Sequence, residues 1–184
     1  MYVGRRVRLR ALEMEDAEAC AGWLSDLDTA RRVGGGGRMP ITLEGEREWI
    51  RSNSGPRKNM NHFAIETLDR TFIGVCSYNS VNWQSRRCMI GLFIGEASMR
   101  GKGYGTDAIE VLLRICFEEL DMHKVSLDVF SYNEPAVRLY EKLGFVREAV
   151  YRQRAYAKGC RWDEYGYAML RREYDARDGC VRDV

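Results

Sequence analysis

The 184-residue chain carries 29 Lys and Arg against 27 Asp and Glu, a formal net charge of +2. A balance this close to neutral supplies no general attraction for nucleic acid, and no run approaches the ~18 apolar residues of a membrane span, so neither partner is expected. The length predicts one domain, large enough to bury about 70% of the surface its unfolded form exposes without a covalent staple.

Val7 and Leu9 alternate with Arg6, Arg8 and Arg10, the pattern of a half-buried strand, and Asp16 then opens a helical stretch carrying Ala19, Cys20, Trp23 and Leu24. Gly34 to Gly37 interrupt the chain after this helix and predict a mobile loop. Thr42, with Glu44 and Glu46 ahead of Trp49 and Ile50, predicts a capped second helix. Phe63 and Ile65, a turn at Asp69-Arg70, then Phe72, Ile73 and Val75 predict a hairpin, and Arg87 to Ile94 the next strand, giving three antiparallel strands. After a glycine cluster, Ile109, Leu112, Leu113, Cys116 and Leu120 fall at helical spacing. Val125 to Phe130 predicts a strand, Pro135 to Leu143 a helix stopped by Gly144, Phe145 onward strand again and Tyr165 to Leu170 the last strand. Residues 175–184 are expected to be a frayed tail behind a domain of residues 1–174.

The amino terminus lacks a basic segment followed by an apolar core. The six cysteines (Cys20, Cys76, Cys88, Cys116, Cys160, Cys180) are scattered, with no Cys-x-x-Cys pair and only His62 and His123 to assist them. A metal site is therefore not expected, and free thiols in a cytoplasmic location are.

Arg100-Gly101-Lys102-Gly103-Tyr104-Gly105-Thr106 stands between the strand ending at Ile94 and the helix beginning near Tyr104. A tight glycine turn into a helix aims several main-chain N–H groups at one point, where the helix dipole adds partial positive charge, so a phosphate or diphosphate is favoured. A P-loop needs Lys-Ser/Thr after its last glycine, and the dinucleotide fingerprint needs Gly-x-Gly-x-x-Gly; neither spacing occurs here.

The order Arg100, Gly103, Gly105 fits Arg/Gln-x-x-Gly-x-Gly/Ala, and the segment resembles the acyl-coenzyme A pyrophosphate loop of the GCN5-related N-acetyltransferases. Asn133, Ala136, Tyr140, Glu141, Lys142 and Leu143-Gly144-Phe145 are similar to a second signature of that family, in the family's order. His123-Lys124-Val125 with Leu127 to Phe130, and Val7 to Arg10 with Leu12 and Asp16, are similar to its ribosomal-protein-alanine and spermidine acetyltransferase branch. The likeness spans roughly residues 5–174.

The resemblance implies an α+β fold: a twisted, mixed, mostly antiparallel sheet flanked by helices and splayed between the fourth and fifth expected strands, Arg87–Ile94 and Val125–Phe130. It implies acetyl-CoA as acetyl donor, with its diphosphate on the amides of Gly101, Lys102, Gly103, Tyr104, Gly105 and Thr106, and Arg100 and Lys102 available to add charge. Phe93, Ile94 and Gly95 would pair with the pantetheine arm, which Asn133 would also hold. Tyr140 would be the general acid that protonates the leaving thiolate. Met89 stands where many relatives carry a Glu base. Asp128 matches a carboxylate base of the alanine-acetylating branch, with Glu44, Glu96 and His62 as weaker candidates. The acceptor is a primary amine attacked directly in a ternary complex: a protein N-terminus, an amino acid, a polyamine or an antibiotic. Mixed charge from Asp28 to Asn61, including Arg31, Arg32, Arg38, Arg47, Arg51, Arg57 and Lys58, tilts the expectation towards an acceptor with a carboxylate or an acidic protein tail. A non-catalytic acyl-CoA sensor is the alternative that Met89 keeps open, and edge-strand pairing leaves a homodimer open.

Overall fold

The structure, a computed structural model, describes residues 1–33, 41–55 and 57–177. The expected loop at Gly34–Gly37, Arg38 and Cys180 lie outside the described residues. Strands are β1 Tyr2–Val3, β2 Val7–Ala11, β3 Asn61–Thr67, β4 Phe72–Asn82, β5 Arg87–Ile94, β6 Lys124–Phe130, β7 Val146–Ala157 and β8 Cys160–Leu170; helices are α1 Ala17–Ser25, α2 Leu27–Val33, α3 Leu43–Asn53, α4 Tyr104–Arg114, α5 Glu134–Lys142 and α6 Arg171–Arg177. The strands form one mixed sheet in the order β1-β2-β3-β4-β5-β6-β8-β7. Every described pairing is antiparallel except β5 with β6, which is parallel and covers only Arg87 to Met89 against Lys124 to Ser126. That short ladder, on strands that continue to Ile94 and Phe130, is the splay expected from the sequence.

The chain divides into two compact units, Met1–Asn79 with Gly91–Leu112 and Ser80–Ile90 with Leu113–Val184; β4 and β5 each pass from one into the other. In the first, the alternation of β2 buries Val7 and Leu9 and turns Arg8 and Arg10 towards Glu66, with Arg8 directly opposite Glu66 on β3. Leu12, Ala17, Cys20, Ile50, Ala64 and Val75 form the core cluster, with Trp23, Phe72 and Phe93 packed against it. The Thr42 hydroxyl caps α3 by accepting from the Gly45 N–H at 3.0 Å, as its sequence predicts. Helix α2 was not anticipated; Asp26 caps it by accepting from the Thr29 N–H at 2.9 Å.

In the second unit β6 pairs with β8 along its whole length, Lys124 opposite Leu170 through Phe130 opposite Glu164. Leu127, Tyr167 and Met169 are buried, and the Tyr167 hydroxyl donates to Glu141 of α5 at 2.8 Å, which fixes α5 over the face of the sheet that carries Tyr167.

Two expectations need correction. The helix after the glycine turn does not run unbroken to Leu120: α4 ends at Arg114 and a π turn, Ile115–Glu119, follows. Its register change brings Phe117 onto Tyr174 of α6, with ring centroids 4.6 Å apart. Residues 175–177, assigned to a frayed tail, are the last turn of α6; Glu173 accepts from the Leu170 N–H and Tyr174 donates to Glu118 at 2.6 Å, which anchors that turn.

Candidate active site

Gly101 and Gly103 have φ of +72° and +86°, the left-handed region where a side chain is strained. Nothing lies within 4 Å of where a Cβ would stand on Gly101, so the cradle is open on that side. Among the described residues no main-chain carbonyl accepts from the N–H groups of Gly101, Lys102 or Gly103. The Asp107 N–H closes the first turn of α4 on the Gly103 carbonyl at 3.1 Å, which leaves the N–H groups of Tyr104, Gly105 and Thr106 as the free donors of a helix start. Six consecutive amides at one positive helix end fit a diphosphate, which a set of carboxylates would repel.

Two side chains hold this turn in place. Arg100 points inward: its Nε donates to the Ile94 carbonyl at 2.9 Å, and one terminal nitrogen donates to the Gly95 carbonyl and the Thr29 hydroxyl, both at 2.8 Å. Nε and one terminal nitrogen of its guanidinium therefore brace the loop. Asp107, buried, accepts from the main-chain N–H groups of Arg5, Arg6 and Val7 at 3.1, 2.8 and 2.9 Å. Asp107 escaped the sequence reading; its only signal is an acid in the first turn of a helix.

At the end of β5, Gly95 departs from expectation. Its N–H donates to the Ile73 carbonyl at 2.9 Å and its carbonyl already accepts from Arg100, so its N–H is not left for a pantetheine arm. It is glycine for another reason, since a Cβ there would run into the Trp23 ring. Phe93 and Ile94 remain as the edge.

In the second unit, Asn133 opens α5 without using its side chain as a cap; its main-chain carbonyl instead receives the Ala136 and Val137 N–H groups. Tyr140 is buried and meets Phe145 edge-on at 5.8 Å. Burial pushes its phenol up to about 12, so it keeps its proton at any physiological pH and can serve as an acid. Asp128 sits on β6 next to Leu127, which pairs with Tyr167. Successive strand residues face opposite sides, so Asp128 lies on the face opposite the one α5 covers. Its neighbour across the strands is Glu164, also missed by the sequence reading. Burial holds the Glu164 carboxyl above its ordinary range, against the pull of Arg154 and with Asp128 adding to the rise.

The weaker base candidates recede. Glu96 accepts from the Ser98 N–H and hydroxyl, which hold its carboxyl low. Glu44 is exposed and ion-paired with Arg47 at 3.6 Å. Burial, with Arg57, holds the His62 imidazole below its ordinary value, and the ring packs against Trp49 at 4.9 Å. Of the cations from Asp28 to Asn61, Arg31, Arg47 and Arg51 are each paired with an acid one turn back in the same helix, which removes much of the positive bias. Among the described residues no group of three or more metal-ligating side chains converges and no helix is long and apolar enough to cross a membrane.

The family model for the acetyltransferase (GNAT) domain matches residues 6–146. The chain belongs to the GNAT acetyltransferase family. This GNAT chain is 28% identical over 183 residues to the SPbeta prophage-derived uncharacterized N-acetyltransferase YokL of Bacillus subtilis (strain 168), covering 97% of each protein. It is 33% identical over 86 residues to the spermidine N(1)-acetyltransferase of Vibrio cholerae, covering 47% of this chain and 49% of that one. Two crystal structures share the fold: a GNAT-family acetyltransferase from Bacillus anthracis (TM-score 0.79, 24% identity, 93% of this chain and 98% of that one), and the Vibrio cholerae spermidine N-acetyltransferase in complex with CoA and spermine (TM-score 0.82, 23% identity, 91% and 97%). The GNAT enzyme is an N-acetyltransferase with acetyl-CoA as its donor.

Proposed function

We propose that this enzyme acetylates a small primary amine by direct attack, with the acid and the base on opposite faces of the β6–β8 ladder. Acetyl-CoA, when bound, supplies an acetyl group activated as a thioester. The amides of Gly101 to Thr106 hold its diphosphate, the Phe93–Ile94 edge and the Asn133 side chain hold its arm, and Arg100 and Asp107 keep the turn in shape. Asp128 takes the proton from the incoming ammonium, directly or through water, and Tyr140 holds the proton that the departing sulfur needs.

The observation that carries this reading is the division of labour across one sheet: a phenol kept protonated by burial at α5, and a carboxylate reached from the other side. Met89 is no obstacle, because Asp128 supplies a carboxylate from the neighbouring strand. The free thiols of Cys20, Cys76, Cys88 and Cys160, three of them buried, support a reducing, cytoplasmic setting. Exposed Val146, Val150 and Tyr156 on edge strand β7 support a homodimer.

The test is Tyr140→Phe, with thiol release as readout and calorimetry for coenzyme affinity. An enzyme using Tyr140 loses about 10²-fold in kcat while the Kd for acetyl-CoA holds. A wild type that binds acetyl-CoA but releases no thiol with any amine is a sensor instead, and a Phe variant with full kcat removes Tyr140 from the chemistry.

A further inference from the structure

We infer that Asp128, Glu164 and Tyr151 form the subsite for the acceptor's ammonium group, and that Arg154 is a built-in occupant of that subsite which the substrate cation displaces. The inference rests on the transfer reaction proposed above and adds to it the charge and shape of the acceptor.

Strand register assembles the subsite. Gly166 of β8 lies opposite Asp128 of β6 and Ala149 of β7, and Glu164 lies opposite Phe130 and Tyr151. Paired residues and their neighbours two places along share a face, so two carboxylates and two aromatic rings meet on the side away from α5. Gly166 lets them approach: a Cβ there would stand 3.2 Å from Ala149, 3.4 Å from the Tyr151 ring and 3.5 Å from Asp128 Oδ1.

The pairing of β7 with β8 breaks between Tyr151 and Ala155, where Gln153 adopts φ of +54° and donates its N–H to Asp163 at 2.8 Å. This irregularity brings Arg154 over its neighbours. Its guanidinium carbon stands 4.7 Å from the Tyr151 ring centre, its Nε 3.1 Å from Glu164 Oε2 and its Nη1 3.9 Å from Asp128 Oδ2.

An aromatic face with two carboxylates around one cation is the acceptor set that recognises an alkylammonium. Here the cation is the chain's own, and the loosest member of the group. The Arg154 side chain is 54% exposed, against 14% for Glu164 and 26% for Asp128. Arg154 can therefore swing into solvent while the acids stay, and an exposed pair of this kind contributes little to stability. The arrangement is then one cation short, and a substrate ammonium completes it. Phe130 stacks on Tyr132 at 5.2 Å, and Trp162 meets Tyr132 edge-on at 5.5 Å, so an apolar wall adjoins the acids. The acceptor that fits is a primary alkylammonium with an apolar body. A substrate with a carboxylate close to its amine would set like charges together, which reverses the expectation raised by the arginine-rich segment of the sequence.

The proton balance is complete. One N–H proton of the ammonium passes to the Glu164–Asp128 pair and leaves the lone pair on nitrogen; the C–N bond forms as the C–S bond breaks, sulfur takes the Tyr140 proton, and the second N–H proton, lost as the amide forms, leaves through water. Solvent then restores both groups.

The experiment titrates n-butylamine into wild type, Arg154→Ala and Glu164→Gln by calorimetry, with n-butanol as the neutral control, and repeats the series kinetically with acetyl-CoA. Removing the internal competitor should lower the Kd of n-butylamine about tenfold and raise kcat/KM by a similar factor, while Glu164→Gln should weaken binding at least as much. n-Butanol should give no saturable heat. An amine Kd unchanged or raised in Arg154→Ala, or no saturable amine heat with that variant, overturns the subsite. Coenzyme titration of the same samples separates the two readings: if acetyl-CoA binds and turnover persists while Arg154→Ala leaves amine affinity unmoved, only the subsite falls; if no protein binds acetyl-CoA, the transfer reaction falls as well.

Discussion

Glu66 receives ion pairs from two positions of the neighbouring strand, Arg8 and Arg10, each at 2.5 Å, and Arg10 also grips both oxygens of Asp16 at 2.7 Å. Burial alone would raise the Glu66 carboxyl, but the two guanidiniums outweigh it and hold the group below its ordinary 4.5. A carboxyl depressed in the folded state stabilises the fold above its unfolded value and loses that contribution as pH falls through the folded one. Glu66→Gln should therefore cost about 3 kcal/mol at pH 7, as removal of one partner from a buried pair does, and the difference from wild type should shrink as pH drops below about 4.5. Urea denaturation at neutral and acid pH reads both effects; a cost that does not vary with pH would make Glu66 a packing residue only. The alternation of Val7 and Leu9 with three arginines announced a strand, but nothing in the spacing named Glu66 as their partner, because that pairing is set by the register of β2 on β3.

The glycine turn and α4 work as one element. Gly103 must reach φ of +86°, and Ala at that position is strained by about 1–2 kcal/mol. Gly103→Ala should raise the Kd for acetyl-CoA about tenfold by calorimetry, since a displaced turn re-aims the amides. Asp107→Ala strips the acceptor from three main-chain N–H groups and should lower unfolding free energy by about 2–3 kcal/mol in urea. If Asp107→Ala keeps wild-type stability, water replaces the carboxylate and the brace is dispensable. The glycine pattern made the turn legible before any coordinates. The inward course of Arg100 was not, since its acceptors are the Ile94 and Gly95 carbonyls and a hydroxyl from α2. The π turn after Arg114 was equally hidden, because its register change serves a contact between Phe117 and Tyr174 of the distant α6.

For the molecule as a whole, coenzyme binding and folding are linked. A ligand that binds only the native state at 100 times its Kd adds about 2.7 kcal/mol, which for a chain of 184 residues converts to a rise in Tm of about 5–10 °C. Differential scanning fluorimetry with acetyl-CoA should show that rise, and a much smaller one for Gly103→Ala at the same concentration. An equal rise in both proteins would place the diphosphate elsewhere.

Local structure written in consecutive residues was legible in the sequence alone: the glycine turn into α4, the helix of the Asn133–Phe145 block, the Thr42 cap and the α+β class. Each depends on spacing within one element, where periodicity and backbone sterics act over a few residues. The tertiary structure decided what depends on distant segments meeting. It spent Gly95 and Arg100 on bracing, set Asp128 on the face opposite α5, and brought Glu164 and Arg154 to its side. Strand register and an irregularity in β7 control those encounters, and side chains brought together by pairing across a sheet leave no mark in the linear order of either strand.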